Sequence, residues 1–276
     1  MIEISKEEVF RTLSDGQTHR KQFSSHSGVQ KGKASPTFSV PFDNGLVGHF
    51  LEGTGRPLKY NPSYNQHYCF LRSQADIDDV EAWEKRQGTR VFVRNCLSST
   101  VALDYNFEDN LNGKKTLVGE HEELAKHHQD ANSIAYLAEK AAETINSISY
   151  LSSADYLCAI PAMAEKQFDL PAKLSVAISQ LVGKYDITPH FQVKNKRKSL
   201  KDCSLDEKWD AWEEASVVLS DFDLSGRSVI LIDDKYQSGI TVQFFGRVLQ
   251  AYGCNSAHGL CMVKTLRDTD NVPVVE

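Results

Sequence analysis

The sequence predicts an α/β protein built on a doubly wound parallel sheet, with an α+β elaboration at its N-terminal end. Three observations carry this. Val229–Ile232 is a continuous apolar run of the kind a strand buried on both faces needs. After a short turn comes a helical pattern, with Val242, Phe245, Val248, Leu249 and Tyr252 as its apolar positions and Gly253 at its end. Upstream, helix and strand patterns alternate from Ala131 to Val193, an order that closes into parallel βαβ units.

Taken in order, Glu7–Leu13 reads as a short helix, and His19–Ser39, rich in Lys, Ser, Gln and Gly, as a loop or mobile hairpin. Gly45–Leu51 and Arg90–Leu97 read as strands, the second alternating apolar and polar residues, with a helical turn at Glu81–Arg86 between them. Leu103–Gly119 is polar and holds an Asn-Gly turn signal at 112–113. Residues 1–117 are therefore expected to form a module or hood, and residues 118–276 the core. In HEELAKHH, His121, His127 and His128 stand with Glu122 and Glu123. No two of these histidines have the i, i+4 spacing of a helical zinc pair, so a solvated helix surface is the simpler reading and a metal site the alternative.

The core begins with an amphipathic helix over Ala131–Ile148, whose apolar positions are Ile134, Leu137, Ala141, Ile145 and Ile148. A strand follows at Tyr156–Ile160, then a helix at Pro171–Val182 with proline in its first turn, then an apolar stretch at His190–Val193. Ligands of such sheets bind beyond the carboxyl ends of the strands, where Pro161–Ala164 and Asp233–Thr241 are expected to emerge.

Composition narrows the function classes. The chain has 276 residues, 41% hydrophobic and 25% charged, as in a globular domain. A net charge of −6 and a pI near 5.9 disfavour a general nucleic-acid coat. No apolar run reaches membrane-spanning length and MIEISKEEVF lacks a signal pattern, so a cytoplasmic protein with no membrane partner is expected. The six cysteines form no C-x-x-C pair, which supports neither a zinc ribbon nor a disulfide framework.

The chemistry concentrates in SVILIDDKYQSGIT, residues 228–241. A helix N-terminus offers unpaired N–H groups and a positive dipole end, and so holds phosphate. Gly239 lets backbone approach the ligand, and Ser238 and Thr241 add hydroxyl donors. Asp233 and Asp234, at the strand end, can accept hydrogen bonds from sugar hydroxyls. A sugar phosphate suits this set, with its phosphate on the turn and its diol on the acids.

This run resembles the phosphoribosyl pyrophosphate (PRPP) motif of type I phosphoribosyltransferases, and among them the ComF-like variant, which also carries tyrosine at the place of Tyr236. The likeness covers roughly Asp155 to Arg267. In AIPAMAEKQFDLPAKLSVAI, Lys166 stands where that family has arginine, Phe168 at its phenylalanine, Asp169 at its asparagine and Leu174 at a helix leucine. In RKSLKDCSLDEKWDAW, Leu200, Cys203, Lys208 and Ala211 stand at the family's Gln, Leu, Arg and Asn, so the spacing persists while several polar identities change. The cysteine-rich metal module of many ComF proteins has no counterpart. Gln237 replaces an aspartate base of some purine-salvage relatives and cannot take a proton.

The resemblance implies a sheet of the type I phosphoribosyltransferase kind and transfer of ribose 5-phosphate from PRPP, with Mg²⁺, to a small-molecule or nucleotide acceptor. It implies Asp233 and Asp234 as the catalytic acids, and Lys235, Tyr236, Gln237, Ser238, Gly239, Ile240 and Thr241 as the PRPP-binding turn. Ala162, Met163, Ala164 and Glu165 would form the pyrophosphate loop. The basic connector with Lys194, Lys196, Arg197, Lys198 and Lys201 can clamp pyrophosphate, meet nucleic-acid phosphate, or remain a solvated loop balanced by neighbouring acids. A PRPP- or nucleotide-binding regulator without catalysis, and a nucleic-acid-associated accessory protein, are the competing functions.

Overall fold

Nine α-helices and twelve strands follow one another among the described residues of the computed structural model, which are 3–14, 29–31, 35–109, 113–161, 168–196, 198–200, 203–220 and 222–266. The N-terminal part runs α1 (Lys6–Ser14), β1 (Val29–Lys31), β2 (Pro36–Val40), α2 (Leu46–Thr54), β3 (Lys59–Asn61), β4 (Gln66–Phe70), α3 (Gln74–Gln87), β5 (Val91–Phe92) and β6 (Ser99–Tyr105). The chain continues with α4 (Leu117–His128), α5 (Ala131–Ser147), α6 (Ser149–Ser152), β7 (Tyr156–Ala159), α7 (Leu170–Val182), β8 (Tyr185–Asp186), β9 (Phe191–Val193), α8 (Leu205–Ala215) and β10 (Val217–Leu219). It closes with β11 (Ser228–Tyr236), α9 (Ile240–Ala251) and β12 (Ser256–Lys264).

The central sheet has six strands in the order β5-β6-β12-β11-β7-β8. All neighbours are parallel except β5, which runs antiparallel to β6. Period-two alternation divides the buried strand residues between two cores. Ile230, Ile232, Leu157 and Leu260 pack with Leu137, Ala141 and Ile145 of α5 and Leu174 and Ile178 of α7. Val229, Leu231, Cys158 and Cys261 pack with Trp209 and Trp212 of α8 and Phe245 and Leu249 of α9. Helices thus cover both faces of a mostly parallel sheet, and the Val229–Ile232 run is apolar throughout because both faces are buried. Tyr156–Ala159 pairs in parallel with Val229–Ile232, as the alternating pattern predicts.

A second, four-stranded antiparallel sheet, β1-β2-β4-β3, packs Phe38 against Phe50 of α2, with ring centroids 4.8 Å apart, and Phe50 against Trp83 of α3 at 5.0 Å. No helix among the described residues is long and apolar enough to cross a membrane.

Several expectations need correction. Gly45–Leu51 is not a strand. Gly45 takes the left-handed conformation (φ 77°) and caps α2, which turns Leu46, His49 and Phe50 inward at helical spacing. Within Arg90–Leu97 only Val91–Phe92 is strand, and the main strand of this region is β6, where Val101, Ala102 and Leu103 are buried. Phe191–Val193 does not join the central sheet. It pairs antiparallel with β10, and β8 takes the sheet edge instead. The connector is not loop throughout, because Leu205–Ala215 forms α8, started by a Ser204–Glu207 capping box and anchored by buried Trp209 and Trp212. Finally, β5 and β6 lie before residue 118 yet belong to the central sheet, so the 117/118 boundary is not a boundary of the sheet.

Candidate functional site

The site arises where β7 and β11 part company. β7 pairs with β11 only as far as Ala159 opposite Ile232, and the last link is Ile160 N–H donating to the Ile232 carbonyl at 3.0 Å. On the other side β12 keeps pace with β11 as far as Tyr236 opposite Lys264. Strand β11 therefore runs on past its β7 neighbour, and Asp233–Tyr236 is extended strand, not the strand end and turn that the sequence suggests. Beyond β7 the chain leads to α7 on one face of the sheet, and beyond β11 to α9 on the other. A crevice opens between such diverging connections.

That crevice is a cavity of about 470 Å³. Its lining includes Asp233, Asp234, the 235–239 segment and Thr241 from the β11–α9 unit, Ile160 and Pro161 after β7, and Phe168 and Asp169 before α7. Lys126 and His127 reach it from α4, and Lys208 and Trp212 from α8.

The turn into α9 is built around Gly239, which caps the helix at φ 76°. A Cβ there would also overlap the Tyr236 hydroxyl and ring. Tyr236 is 1% exposed, and its hydroxyl accepts from Asn95 Nδ2 at 3.3 Å. Its ring thus supports the turn from beneath. Ser238 Oγ accepts from Ile240 N–H at 3.4 Å, and Thr241 Oγ1 accepts from Trp212 Nε1 at 3.3 Å. Ile240 is fully buried in the core between sheet and helix, so it offers the cavity backbone only. Gln237 is exposed. Gln243 braces the turn: its Nε2 donates to the Gly239 carbonyl at 3.1 Å, and its Oε1 accepts from Cys96 N–H at 2.9 Å.

The acids are not equivalent. Asp233 Oδ1 accepts from Asp234 N–H at 2.9 Å, and Asp234 Oδ2 lies 2.6 Å from Lys126 Nζ. Burial, and then the charge of Asp234, push the Asp233 carboxyl well above the usual carboxylate range, with Lys126 pulling the other way. Burial also disfavours the Lys126 ammonium, but Asp234, Glu122 and Asp233 outweigh that and hold its pKa above the ordinary lysine value. Lys235 turns to Glu122, with Nζ 3.3 Å from Oε2.

Lys126 is the residue that sequence reasoning missed, and Glu122, named there only for a metal-site alternative, is its buried neighbour. HEELAKHH is helix α4, but it is not solvated all round, since Val118, Glu122 and Ala125 are buried. Its i, i+4 Glu–Lys spacing signals a helical pair, but nothing in the sequence points Lys126 at Asp234. His121 stacks on Tyr136 with centroids 4.0 Å apart, and its Nδ1 is 3.0 Å from Ser133 Oγ. Among the described residues no three His, Cys, Asp or Glu side chains are placed to hold a metal.

Other expected site residues are placed as follows. Ala162, Met163, Ala164 and Glu165, with Lys166, Arg197 and Lys201, lie outside the described residues. Lys194 Nζ donates to Gln192 Oε1 at 2.6 Å and Lys198 pairs with Glu207 at 3.6 Å, while Lys196 is exposed. Asp169 caps α7 by accepting from Ala172 N–H at 3.2 Å. Lys208, only 8% exposed, brings one connector-helix cation to the cavity.

No protein-family model matches the chain, and no curated protein matches it. Among solved structures it is similar to a hypoxanthine phosphoribosyltransferase from Staphylococcus aureus, at 12% identity over 52% of this chain and 68% of that chain, with a TM-score of 0.31.

Proposed function

We propose that this protein binds PRPP and transfers its ribose 5-phosphate group to an acceptor with release of pyrophosphate, on a doubly wound sheet of the type I phosphoribosyltransferase kind. One observation carries the reading: the acid pair and the Gly239 turn, expected from the sequence to hold diol and phosphate, open onto the same cavity. The 5-phosphate takes the first-turn N–H groups of α9 and the hydroxyls of Ser238 and Thr241. The ribose hydroxyls donate to the acid pair. Lys208 adds positive charge on the side of the connector.

In the reaction, the bond from the anomeric carbon to pyrophosphate breaks and the bond to the acceptor forms. Positive charge grows on the ribose ring between these events, and the negative charge at the acid pair stabilises it. Pyrophosphate leaves with the electron pair, which cationic side chains favour. Mg²⁺ would come with PRPP and would neutralise charge on the leaving pyrophosphate; among the described residues Asp233, Asp234 and Asp169 are the carboxylates that line the cavity.

Calorimetric titration with PRPP and Mg²⁺, with AMP and inorganic phosphate as partial ligands, tests binding. A pyrophosphate-release assay tests turnover. Replacing both Asp233 and Asp234 by Ala removes their hydrogen bonds to the ribose hydroxyls, and a charge-assisted one at Asp234, which is ion-paired with Lys126, is worth about 1.5–3 kcal/mol, so affinity should fall by about tenfold or more. Absence of PRPP binding up to millimolar concentration overturns the reading. Saturable binding without pyrophosphate release in the presence of candidate acceptors would make the protein a PRPP-responsive regulator instead.

A further inference from the structure

The four-stranded sheet β1-β2-β4-β3 turns one face to α2 and α3 and the other outward. Side chains alternate along each strand. Phe38 and Val40 of β2 are fully buried, and Cys69 of β4, opposite Phe38, shares their core. Thr37 and Ser39 of β2 and Tyr68 and Phe70 of β4 therefore point outward, Thr37 opposite Phe70 and Ser39 opposite Tyr68. Phe70 is 57% exposed and Tyr68 half-buried, their ring centroids 5.5 Å apart in an edge-to-face pair. On the other side of Tyr68 stands Lys59 of β3, which is exposed.

The charge of this sheet is of one sign. Residues 16–42 and 57–75, which supply its four strands, contain Arg20, Lys21, Lys31, Lys33, Lys59 and Arg72 and no Asp or Glu, in a chain whose net charge is −6. Among the described residues the side chains of Lys59 and Arg72 meet no carboxylate. The next acid along the chain, Asp76, is taken up by Arg56 at 2.9 Å and by the Arg72 N–H at 2.7 Å. The hydroxyls of Thr37 and Ser39 have no hydrogen-bond partner among the described residues either.

We infer that this outer face binds single-stranded RNA, with bases stacked on Tyr68 and Phe70 and the sugar-phosphate chain passing Lys59 and Arg72. The inference stands apart from the PRPP reading and concerns a different part of the molecule from the basic connector. An exposed ring offers its π-face to any base, and a duplex, whose bases are already stacked on one another, cannot use it. A polyanion neutralises Lys59 and Arg72, which an uncharged partner would leave without counter-ions. The acidic remainder of the chain repels the same polyanion and confines it to this face. The hydroxyls select the sugar. Ser39 beside Tyr68 and Thr37 beside Phe70 put one free hydroxyl next to each ring, where a ribose 2′-hydroxyl gives it a partner and a deoxyribose does not.

Fluorescence anisotropy of the full chain with a labelled oligo(A) RNA of about twelve nucleotides, at several salt concentrations, tests this. Phe70→Ala and Tyr68→Ala should each weaken binding by about tenfold, while Phe70→Tyr, which keeps a ring, should bind like wild type. Lys59→Ala should weaken binding and lower the slope of log affinity against log salt by about 0.7, the share of one phosphate on a single strand. Oligo(dA) of the same length should bind more weakly than the RNA, and an RNA duplex should not compete. Absence of RNA binding up to about 100 μM overturns the inference. So does wild-type affinity in both alanine variants, or a loss of binding that follows Lys194→Ala and Lys198→Ala instead, which would place the contact on the connector. Equal affinity for oligo(dA) overturns the assignment to RNA, and equal competition by an oligoglutamate peptide overturns the stacking. If an alanine variant does not fold, Lys59→Glu decides, an unchanged RNA affinity counting against this face.

Discussion

Gly239 answers two demands that no other residue meets together. Its φ of 76° lies in the left-handed region, and the Tyr236 ring fills the space where a side chain would begin. The glycine that the sequence marks as a phosphate approach is also where the chain folds over a buried tyrosine. Gly239→Ala should therefore lower stability by about 1–3 kcal/mol even without ligand, and abolish tight PRPP binding. Adding Tyr236→Phe removes the hydroxyl that the new Cβ meets first, so the double variant should regain part of the lost melting temperature. Thermal melts of the three proteins check this, and a melting temperature unchanged by Gly239→Ala would contradict it. Thr241 is a different case: its hydroxyl already accepts from Trp212, so Thr241→Ala loosens the contact with α8 as well as removing a hydroxyl proposed for the phosphate.

At the scale of elements, what the sequence announced and what it hid have the same physical origin. β11, α5, β7, α7 and α9 were legible because each presents an uninterrupted pattern at one period, with a cap or glycine at its end. α2 was not, because LVGHFL is too short to separate a helix from a buried strand by periodicity, and its start is set by the backbone of Asn44 and Gly45 rather than by a polar cap. The extension of β11 through Tyr236 was hidden because it depends on β12 reaching Lys264 while β7 stops at Ala159. Lys126 was hidden for the same reason, since its partner lies more than a hundred residues away. Helix α8 yields a prediction. Trp209 meets Phe244 at 5.3 Å and Trp212 meets Phe245 at 4.9 Å, so 205–215 should resist hydrogen exchange with or without PRPP. Ligand-dependent slowing should be confined to 194–204. Equal protection of 194–204 with and without PRPP and Mg²⁺ would count against a clamp by the basic connector.

At the scale of the whole molecule, the central sheet takes strands from both halves of the chain. A fragment of residues 118–276 lacks β6, which pairs with β12 from His258 opposite Ser99 to Lys264 opposite Tyr105. It would expose that long β12 edge and the apolar surface under Val101–Leu103, and should be unfolded or aggregated by circular dichroism and sedimentation. A cooperative, soluble 118–276 fragment would show that the sheet does not need β6. Stability should also depend on pH through Asp104. Burial raises its carboxyl to about 6, above the ordinary value of 3.8, so between these pH values the folded state binds more protons than the unfolded chain. The stability from this group is complete below about pH 3.8 and is lost as pH rises through about 6. Asp104→Asn should therefore stabilise the protein relative to wild type above pH 6 and lose that advantage near pH 4, as denaturant titrations at the two pH values would report.

Gln243 bears on how portable the site is. Its one amide holds the Gly239 carbonyl with its nitrogen and the Cys96 N–H with its oxygen. A graft of β7 through β12 onto another scaffold would carry the acids, the glycine and both hydroxyls. It would not carry the Cys96 N–H against which this amide is set, so the transplanted turn would inherit the motif without its alignment.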